Sequence, residues 1–330
     1  MNLHRRPRVL VTRRFVRSMP ARLAAVCDLD IHDDHAPLPR QALLERLRPC
    51  DGVLLGSGDV LDADWLDAAP GLRVASTASM GFNHVDVDAC SRRGVLVTNT
   101  PDVVTEATAD LGFLLMMAAA RRLGESERWL RAGHWPDRGW RFDDWLGSDV
   151  SGSTLGIVGM GRIGQAIARR AEAFGMRVCY HNRSPLPPDQ ARGAQILPLT
   201  ELLEVADHVI VVVPYSQATH HLIDGRALAL MKPTATLTNI ARGGVVDDAA
   251  LAAALRAGRL AAAGLDVYEN EPLVHPDLLV LDNAVLAPHI GTATIGTRER
   301  MFCMAADNLL DALAGRVPRH LVNAQALVGS

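Results

Sequence analysis

Short apolar runs alternate with helical patterns along most of this chain, and the alternation is sharpest after Ser153. Residues 154–158, 177–180, 208–213, 235–239, 261–267 and 284–286 read as strands. Between them, 162–174, 199–205, 227–230 and 247–257 read as helices. Strands written as continuous Val, Ile and Leu runs are those of a parallel sheet covered on both faces. Upstream, 8–12, 51–55, 72–76 and 95–98 carry the same β signature, with helices over 40–47 and 62–68. Repeated β-then-α signals predict an α/β fold with parallel sheets and covering helices. A longer helix over 105–123 is apolar on nearly all sides between Leu111 and Ala120, the pattern of a buried helix.

Length and charge add bounds to that picture. The chain has 330 residues, 48% hydrophobic and 22% charged, with a net charge of −3. That is enough for about two domains of roughly 150 residues. The charge excludes a chain built chiefly to grip nucleic acid, which carries a basic domain. Thirty-three of the basic residues are arginine and one, Lys232, is lysine; this split carries no function. Cysteines 27, 50, 90, 179 and 303 are odd in number and show no CxxC spacing, so neither a disulfide framework nor a sequence-local metal site is expected. Reduced thiols fit a cytoplasmic protein. The longest apolar run, Leu111 to Ala120, has 10 residues, against the roughly 20 of a membrane helix. Seven arginines precede the first acid, Asp28, without an apolar stretch to make a secretory signal. A transit peptide is the weaker reading, because a strand begins at Arg8.

Four of the five tryptophans, Trp129, Trp135, Trp140 and Trp145, fall between 125 and 147. Two readings stay open for them. They form a local core, or they form an arm that packs on a second subunit, where aromatics are enriched.

The most specific motif is Gly159-Met160-Gly161-Arg162-Ile163-Gly164. It follows a strand and opens a helix, the context that makes a GxGxxG a dinucleotide site. The first glycine permits the tight turn, the second lets the backbone approach a pyrophosphate, and the third packs helix on strand. The helix N-terminus offers N–H groups to the anion. An NAD site places an acid roughly 20 residues on, to hold the ribose 2′-OH. Here that strand end reads Tyr180-His181-Asn182-Arg183-Ser184, with no carboxylate between Met176 and Pro188. Asn182, Arg183 and Ser184 therefore point to NADP(H) as the preferred cofactor, with NAD(H) as the alternative.

Three motifs follow, each after a strand: Asn239-Ile-Ala-Arg-Gly-Gly-Val-Val-Asp247, Gly264-Leu-Asp-Val-Tyr-Glu-Asn-Glu-Pro272 and Pro288-His-Ile-Gly-Thr-Ala-Thr294. Open α/β sheets bind ligands beyond the carboxyl ends of their strands. Hydride transfer to a 2-oxoacid needs a proton donor, and His289 suits that near neutral pH. Glu271 could fix its tautomer and support its protonated form. Arg242 could hold the substrate carboxylate in a forked contact and polarise the carbonyl.

Together with Ser76-Thr-Ala-Ser-Met-Gly-Phe-Asn-His-Val-Asp86, Asn99-Thr-Pro101 and Thr105-Glu-Ala-Thr-Ala-Asp110, these motifs make the chain resemble the D-isomer-specific 2-hydroxyacid dehydrogenases over nearly its whole length. Within them it is most similar to the bacterial glyoxylate/hydroxypyruvate reductases, including the type that reduces 2-ketogluconate. The resemblance implies two Rossmann-like domains with a cleft between them. The substrate domain, flavodoxin-like, would comprise 1–101 and 289–330, and the NAD(P) domain 102–288. It implies a homodimer through an arm at about 110–150, with Trp135 reaching the partner's active site. It places the catalytic arginine, glutamate and histidine on Arg242, Glu271 and His289. It assigns substrate contacts to Leu55, Gly56, Met80 and Gly81 besides Arg242 and His289. Cofactor contacts fall on Thr105, Val213, Pro214, Thr219, Ile240, Ala241, Asp266 and Gly291, with the nicotinamide amide near Asp266, and include Arg242 and His289. The partners implied are a small 2-oxoacid and a second copy of the chain, with no nucleic acid and no membrane.

The chain departs from the family pattern at Phe82-Asn83, where Tyr-Asp is more usual, at Thr292, where Ser is, and at Asp248, where Glu is. The first two bear on substrate choice. Two other readings stay open: a dehydrogenase of the D-glycerate, D-lactate or phosphite type, and a dinucleotide-sensing corepressor-like binding protein.

Overall fold

Every pairing between successive neighbours in the two sheets is parallel. The computed structural model describes residues 5–14, 21–34, 36–56 and 58–327, so parts of the basic N-terminal stretch, 1–4 and 15–20, lie outside the described residues. The chain divides into two compact units, Met1–Val104 with Thr292–Ser330, and Thr105–Gly291.

The first unit holds β1 (Arg8–Val11), β2 (Asp28–Ile31), β3 (Gly52–Leu55), β4 (Val74–Thr77) and β5 (Leu96–Thr98), in the order β2-β1-β3-β4-β5. This is the flavodoxin-like order, with its switch point between β1 and β3. Strands β3 and β4 are buried at every position; β3 is apolar, and in β4 the hydroxyls of Ser76 and Thr77 are hydrogen-bonded, as burial requires. The sequence reading passed over β2. Its Asp-Leu-Asp-Ile sequence lies at the sheet edge, half exposed, and an edge strand does not carry the apolar run of a central one. It also passed over the longest helix, Ile295–Leu313. That helix packs on β3 and β4 through Phe302, Ala305, Ala306 and Leu309, and Ser76 Oγ donates to Ala305 O at 2.7 Å. The signal was present as a buried stripe, Met301, Phe302, Ala305, Leu309 and Ala312, at three-to-four-residue spacing.

The second unit holds β6 (Thr154–Val158), β7 (Arg177–His181), β8 (Gln195–Ile196), β9 (His208–Val211), β10 (Thr236–Asn239), β11 (Ala262–Leu265) and β12 (Ala284–Leu286). Their order is β12-β11-β10-β9-β6-β7-β8, the dinucleotide-domain order with one strand added, and the switch point lies between β6 and β9. The helix Thr105–Ala120 buries ten of its 16 residues in this unit's core. With the turn before it, it is 19 residues long and apolar enough by length and composition to cross a membrane; that apolarity is spent against the sheet and the helix Arg162–Ala173. It ends at Ala120 and not at 123. The Ala120 carbonyl accepts the N–H of Ser148 at 2.9 Å, and Arg122 turns left-handed at φ 51°.

The tryptophan-rich stretch is no local core. The helices Leu123–Arg131 and Trp135–Arg138 contain no buried residue, and Trp140 and Phe142 are 76% and 85% exposed. Four of the five cysteines are buried, Cys303 is exposed, and none is in a disulfide. Among the described residues no cluster of His, Cys, Asp or Glu could hold a metal.

Candidate active site

The glycine turn after β6 behaves as its spacing predicts. Gly159 has φ 105°, and a Cβ there would stand 2.8 Å from Val213 Cγ1. A Cβ on Gly164 would meet Gly159 O at 2.3 Å, so only glycine lets helix and turn pack this closely. A Cβ on Gly161 would meet nothing within 4 Å, so the backbone here faces open space. Gly161 is the N-cap of the helix Arg162–Ala173 and offers no side chain to its first-turn N–H groups. An open backbone face on a helix N-terminus fits a pyrophosphate.

At the end of β7, Asn182 Oδ1 accepts the Met160 N–H at 2.7 Å, so this side chain braces the glycine turn from the position where an acid would face a ribose. Arg183 and Ser184 follow it and are exposed, and Arg183 has no ion-pair partner among the described residues. On the other side of the switch point, Val213 and Pro214 follow β9. Thr219 Oγ1 donates to Pro214 O at 2.8 Å and accepts the Ser216 N–H at 2.7 Å, which fixes that loop. Thr105 opens the helix Thr105–Ala120.

The three catalytic candidates follow β10, β11 and β12, which are neighbours in the sheet. Ile240 and Ala241 are buried, and Asn239 brackets the turn, accepting the Ala241 N–H at 3.1 Å and donating to Arg242 O at 3.4 Å. Arg242 Nη1 donates to Ala241 O at 2.7 Å. Burial pushes the Arg242 guanidinium down, and the Glu271 charge opposes that. No carboxylate stands within ion-pair distance of Arg242 among the described residues, yet the group stays charged at neutral pH. A largely buried cation without its anion is a docking point for one.

His289 Nδ1 lies 2.7 Å from Glu271 Oε2, with side chains 44% and 32% exposed. Burial works against ionisation of Glu271, but the hydrogen bonds from His289 and the Tyr268 N–H, with the charges of His289 and Arg242, hold it below the usual carboxylate range. An ionised carboxylate only accepts, so the proton of a neutral imidazole sits on Nδ1. Nε2 then faces away, with no partner among the described residues.

Asp266 holds this histidine in place. His289 has φ 51°, and its N–H donates to Asp266 O at 3.0 Å. The Ile290 and Gly291 N–H groups donate to Asp266 Oδ1 and Oδ2 at 2.7 and 2.8 Å. Burial raises the Asp266 carboxyl, and those two amides oppose the shift. A Cβ on Gly291 would crowd Asp266 Oδ2 at 3.1 Å.

In the first unit, Leu55 ends β3 and Gly56 follows it. The Gly56 N–H is occupied, donating to Asp59 Oδ2 at 2.9 Å. Asp59 is buried and also takes Arg13 Nη2 at 2.6 Å and Thr12 Oγ1 at 2.5 Å. Met80 and Gly81 follow β4; their carbonyls accept from Asn99 and Ser79, and their N–H groups make no hydrogen bond among the described residues. The sequence reading missed the Asp59–Arg13 pair, the Tyr268 N–H that holds Glu271, and a cluster of His221, Glu269 and Asp248. Local spacing carries no signal for the first, since the partners are 46 residues apart.

Residues 113–291 match the family described as D-isomer specific 2-hydroxyacid dehydrogenase, NAD binding domain. A glyoxylate reductase of Thermococcus onnurineus is 46% identical over 325 residues, 98% of this chain and 97% of that one. The crystal structure of a glyoxylate reductase from Paecilomyes thermophila superposes with a TM-score of 0.85 at 34% identity, covering 97% of this chain and 99% of that one. That of an NADPH-dependent glyoxylate/hydroxypyruvate reductase from Sinorhizobium meliloti, in complex with NADP and malonate, also gives 0.85 at 34%, covering 98% of each. With the glycine turn, the sheet order and these relatives in agreement, the chain belongs to the D-isomer-specific 2-hydroxyacid dehydrogenases and is an NAD(P)-dependent oxidoreductase.

Proposed function

We propose that this enzyme reduces small 2-oxoacids to D-2-hydroxyacids, with glyoxylate and hydroxypyruvate as substrates and 2-ketogluconate within its range, and that it prefers NADPH to NADH. The observation that carries the reading is the His289–Glu271 pair at 2.7 Å on strand ends next to that of the unpaired Arg242. The bound nicotinamide supplies the hydride. Arg242 takes the substrate carboxylate in a forked contact and polarises the 2-oxo group. His289 delivers a proton from Nε2 to the oxygen as it gains charge, and Glu271 supports the imidazolium on Nδ1. Further substrate contacts are assigned to Leu55, Gly56, Met80 and Gly81 on family resemblance.

Support for NADPH is the absence of an acid at the end of β7 and the exposed Arg183 and Ser184 there. Support for glyoxylate and hydroxypyruvate comes from the similarity to the Thermococcus glyoxylate reductase and the Sinorhizobium glyoxylate/hydroxypyruvate reductase. We also propose a homodimer through the stretch 110–150, whose exposed aromatics support it, with Trp135 near the partner's substrate. The test is a steady-state panel of glyoxylate, hydroxypyruvate, 2-ketogluconate and pyruvate, each with NADPH and NADH. Glyoxylate and hydroxypyruvate with NADPH should give the highest kcat/KM. His289→Ala should lower that kcat by a factor of roughly 10² or more. Turnover of none of the four, with the cofactor bound, would reject the reading in favour of a binding protein.

A further inference from the structure

Two loops of the second unit carry the assigned chemistry: 240–247, with Arg242, and 266–272, with Glu271. We infer that His221 is a positioning residue for both, bracing one loop against the other and, through Glu269, keeping the Glu271 carboxylate on His289. The inference rests on the proton-transfer role proposed for His289 and Glu271.

His221 touches both loops. Its backbone N–H donates to Gly244 O at 2.7 Å, and two residues on the Ile223 N–H donates to Val245 O at 3.1 Å, so this segment runs beside the Arg242 loop. Its ring reaches the other loop, where Nε2 hydrogen-bonds Glu269 Oε1. The two loops are in backbone contact. A Cβ on Gly243 would stand 1.6 Å from Tyr268 O and 2.7 Å from Glu269 N, so a small displacement of one loop is felt by the other. Glu269 is held from two sides. His221 holds its side chain, and buried Asp248 accepts its N–H at 3.1 Å. The preceding N–H, that of Tyr268, is the one that donates to Glu271 Oε1 at 2.9 Å. Fixing Glu269 therefore restrains the neighbouring Tyr268, whose N–H orients Glu271, and Glu271 orients His289.

His221 is itself held in an unfavourable backbone state, φ 49°. A non-glycine residue persists there only where its surroundings over-determine it, and such residues gather at functional sites. The groups facing its ring are Glu269, Asp247, with Oδ2 3.8 Å from Nδ1, Asp248, and His220, stacked at 4.0 Å. His220 in turn has its Nδ1 3.3 Å from the Tyr215 hydroxyl. The hydrogen bond to Glu269 raises His221 above its ordinary value, and burial pushes Asp248 up to about 6. The ion pair thus reaches further into the neutral range than a free histidine would.

The test follows the His289 imidazole by NMR in histidine-labelled protein, assigned with His289→Gln. His221→Ala should lower the His289 midpoint by about half a pH unit or more, because Glu271 no longer sits firmly on Nδ1. His221→Gln keeps an N–H donor for Glu269 and should restore most of it. Glu269→Gln, which removes the charge and keeps the shape, should give a fall like that of His221→Ala and serves if the alanine variant fails to fold. In glyoxylate reduction, His221→Ala should lower kcat about tenfold and move the basic limb of the kcat profile down in pH, with KM for NADPH within about twofold. An unchanged His289 midpoint in the folded variants overturns the inference, as does a kcat loss without movement of that limb. A wild-type enzyme that turns over no 2-oxoacid overturns the proposed function instead, and the His289 titration still decides the brace.

Discussion

A proton donor is defined by which of its nitrogens is free, and here that depends on one contact. The carboxylate of Glu271 claims Nδ1 of His289 and leaves Nε2 outward. Arg242 is defined by a contact it lacks, since burial without a carboxylate leaves its charge to be met by a ligand. Residue types after strands were enough to nominate both. Residue chemistry also nominated Glu271 as the partner of His289, but only the fold shows the contact, because the two are 18 residues apart and meet when the ends of β11 and β12 lie side by side. Cofactor choice also belongs to single residues. A charge-assisted hydrogen bond contributes about 1.5–3 kcal/mol, so Arg183→Ala should raise KM for NADPH roughly 10- to 100-fold while KM for NADH moves little. Equal changes in both would remove Arg183 from the 2′-phosphate site.

Strands and helices differ in how plainly they were written. Several central strands, β1, β3 and β9 among them, are mainly apolar runs, and β6, β12 and the helices Arg40–Leu47 and Leu199–Val205 have the bounds that pattern predicts. Edge strand β2 and the helix Ile295–Leu313 escaped, the first because it is polar, the second because its polar face interrupts the apolar residues. One central strand carries a titratable group with no part in the chemistry. His208 in β9 is fully buried, its Nδ1 2.8 Å from Thr236 Oγ1 and its Nε2 3.1 Å from Asp149 O. Burial lowers its pKa, so the folded protein keeps it neutral where the unfolded chain has begun to take up a proton. Stability is therefore complete above the unfolded value, about 6.5, and is lost as pH falls from there toward the lower folded value. Thermal unfolding between pH 7.5 and 5.5 should show a larger drop in Tm for the wild type than for His208→Gln. Equal drops would show that other groups set the acid limb.

At the scale of the whole molecule, the stretch after Ala120 has aromatics and no core to put them in. Trp135, Trp140 and Phe142 are 50%, 76% and 85% exposed, and Leu123, Leu130 and Leu146 join them. A stable dimer buries roughly 1,200–2,000 Å² in total, and an apolar patch of this kind is what such an interface covers. Light scattering should give twice the 35.5 kDa chain mass, and Trp140→Asp with Phe142→Asp should shift it toward a single chain. A monomeric wild type would reject the dimer. Local chemistry along the chain was sufficient for the fold class, the glycine turn and the nomination of Arg242, Glu271 and His289, because each rests on a short-range constraint: strand periodicity, the steric needs of a turn, or residue type after a strand. Sequence could not tell whether the tryptophans were core or surface, or that Asp266 holds the His289 turn. Nor could it show that His221 joins the loops of Arg242 and Glu271. Those are contacts between segments distant in sequence, and only the packing of neighbouring strands brings them within hydrogen-bond reach.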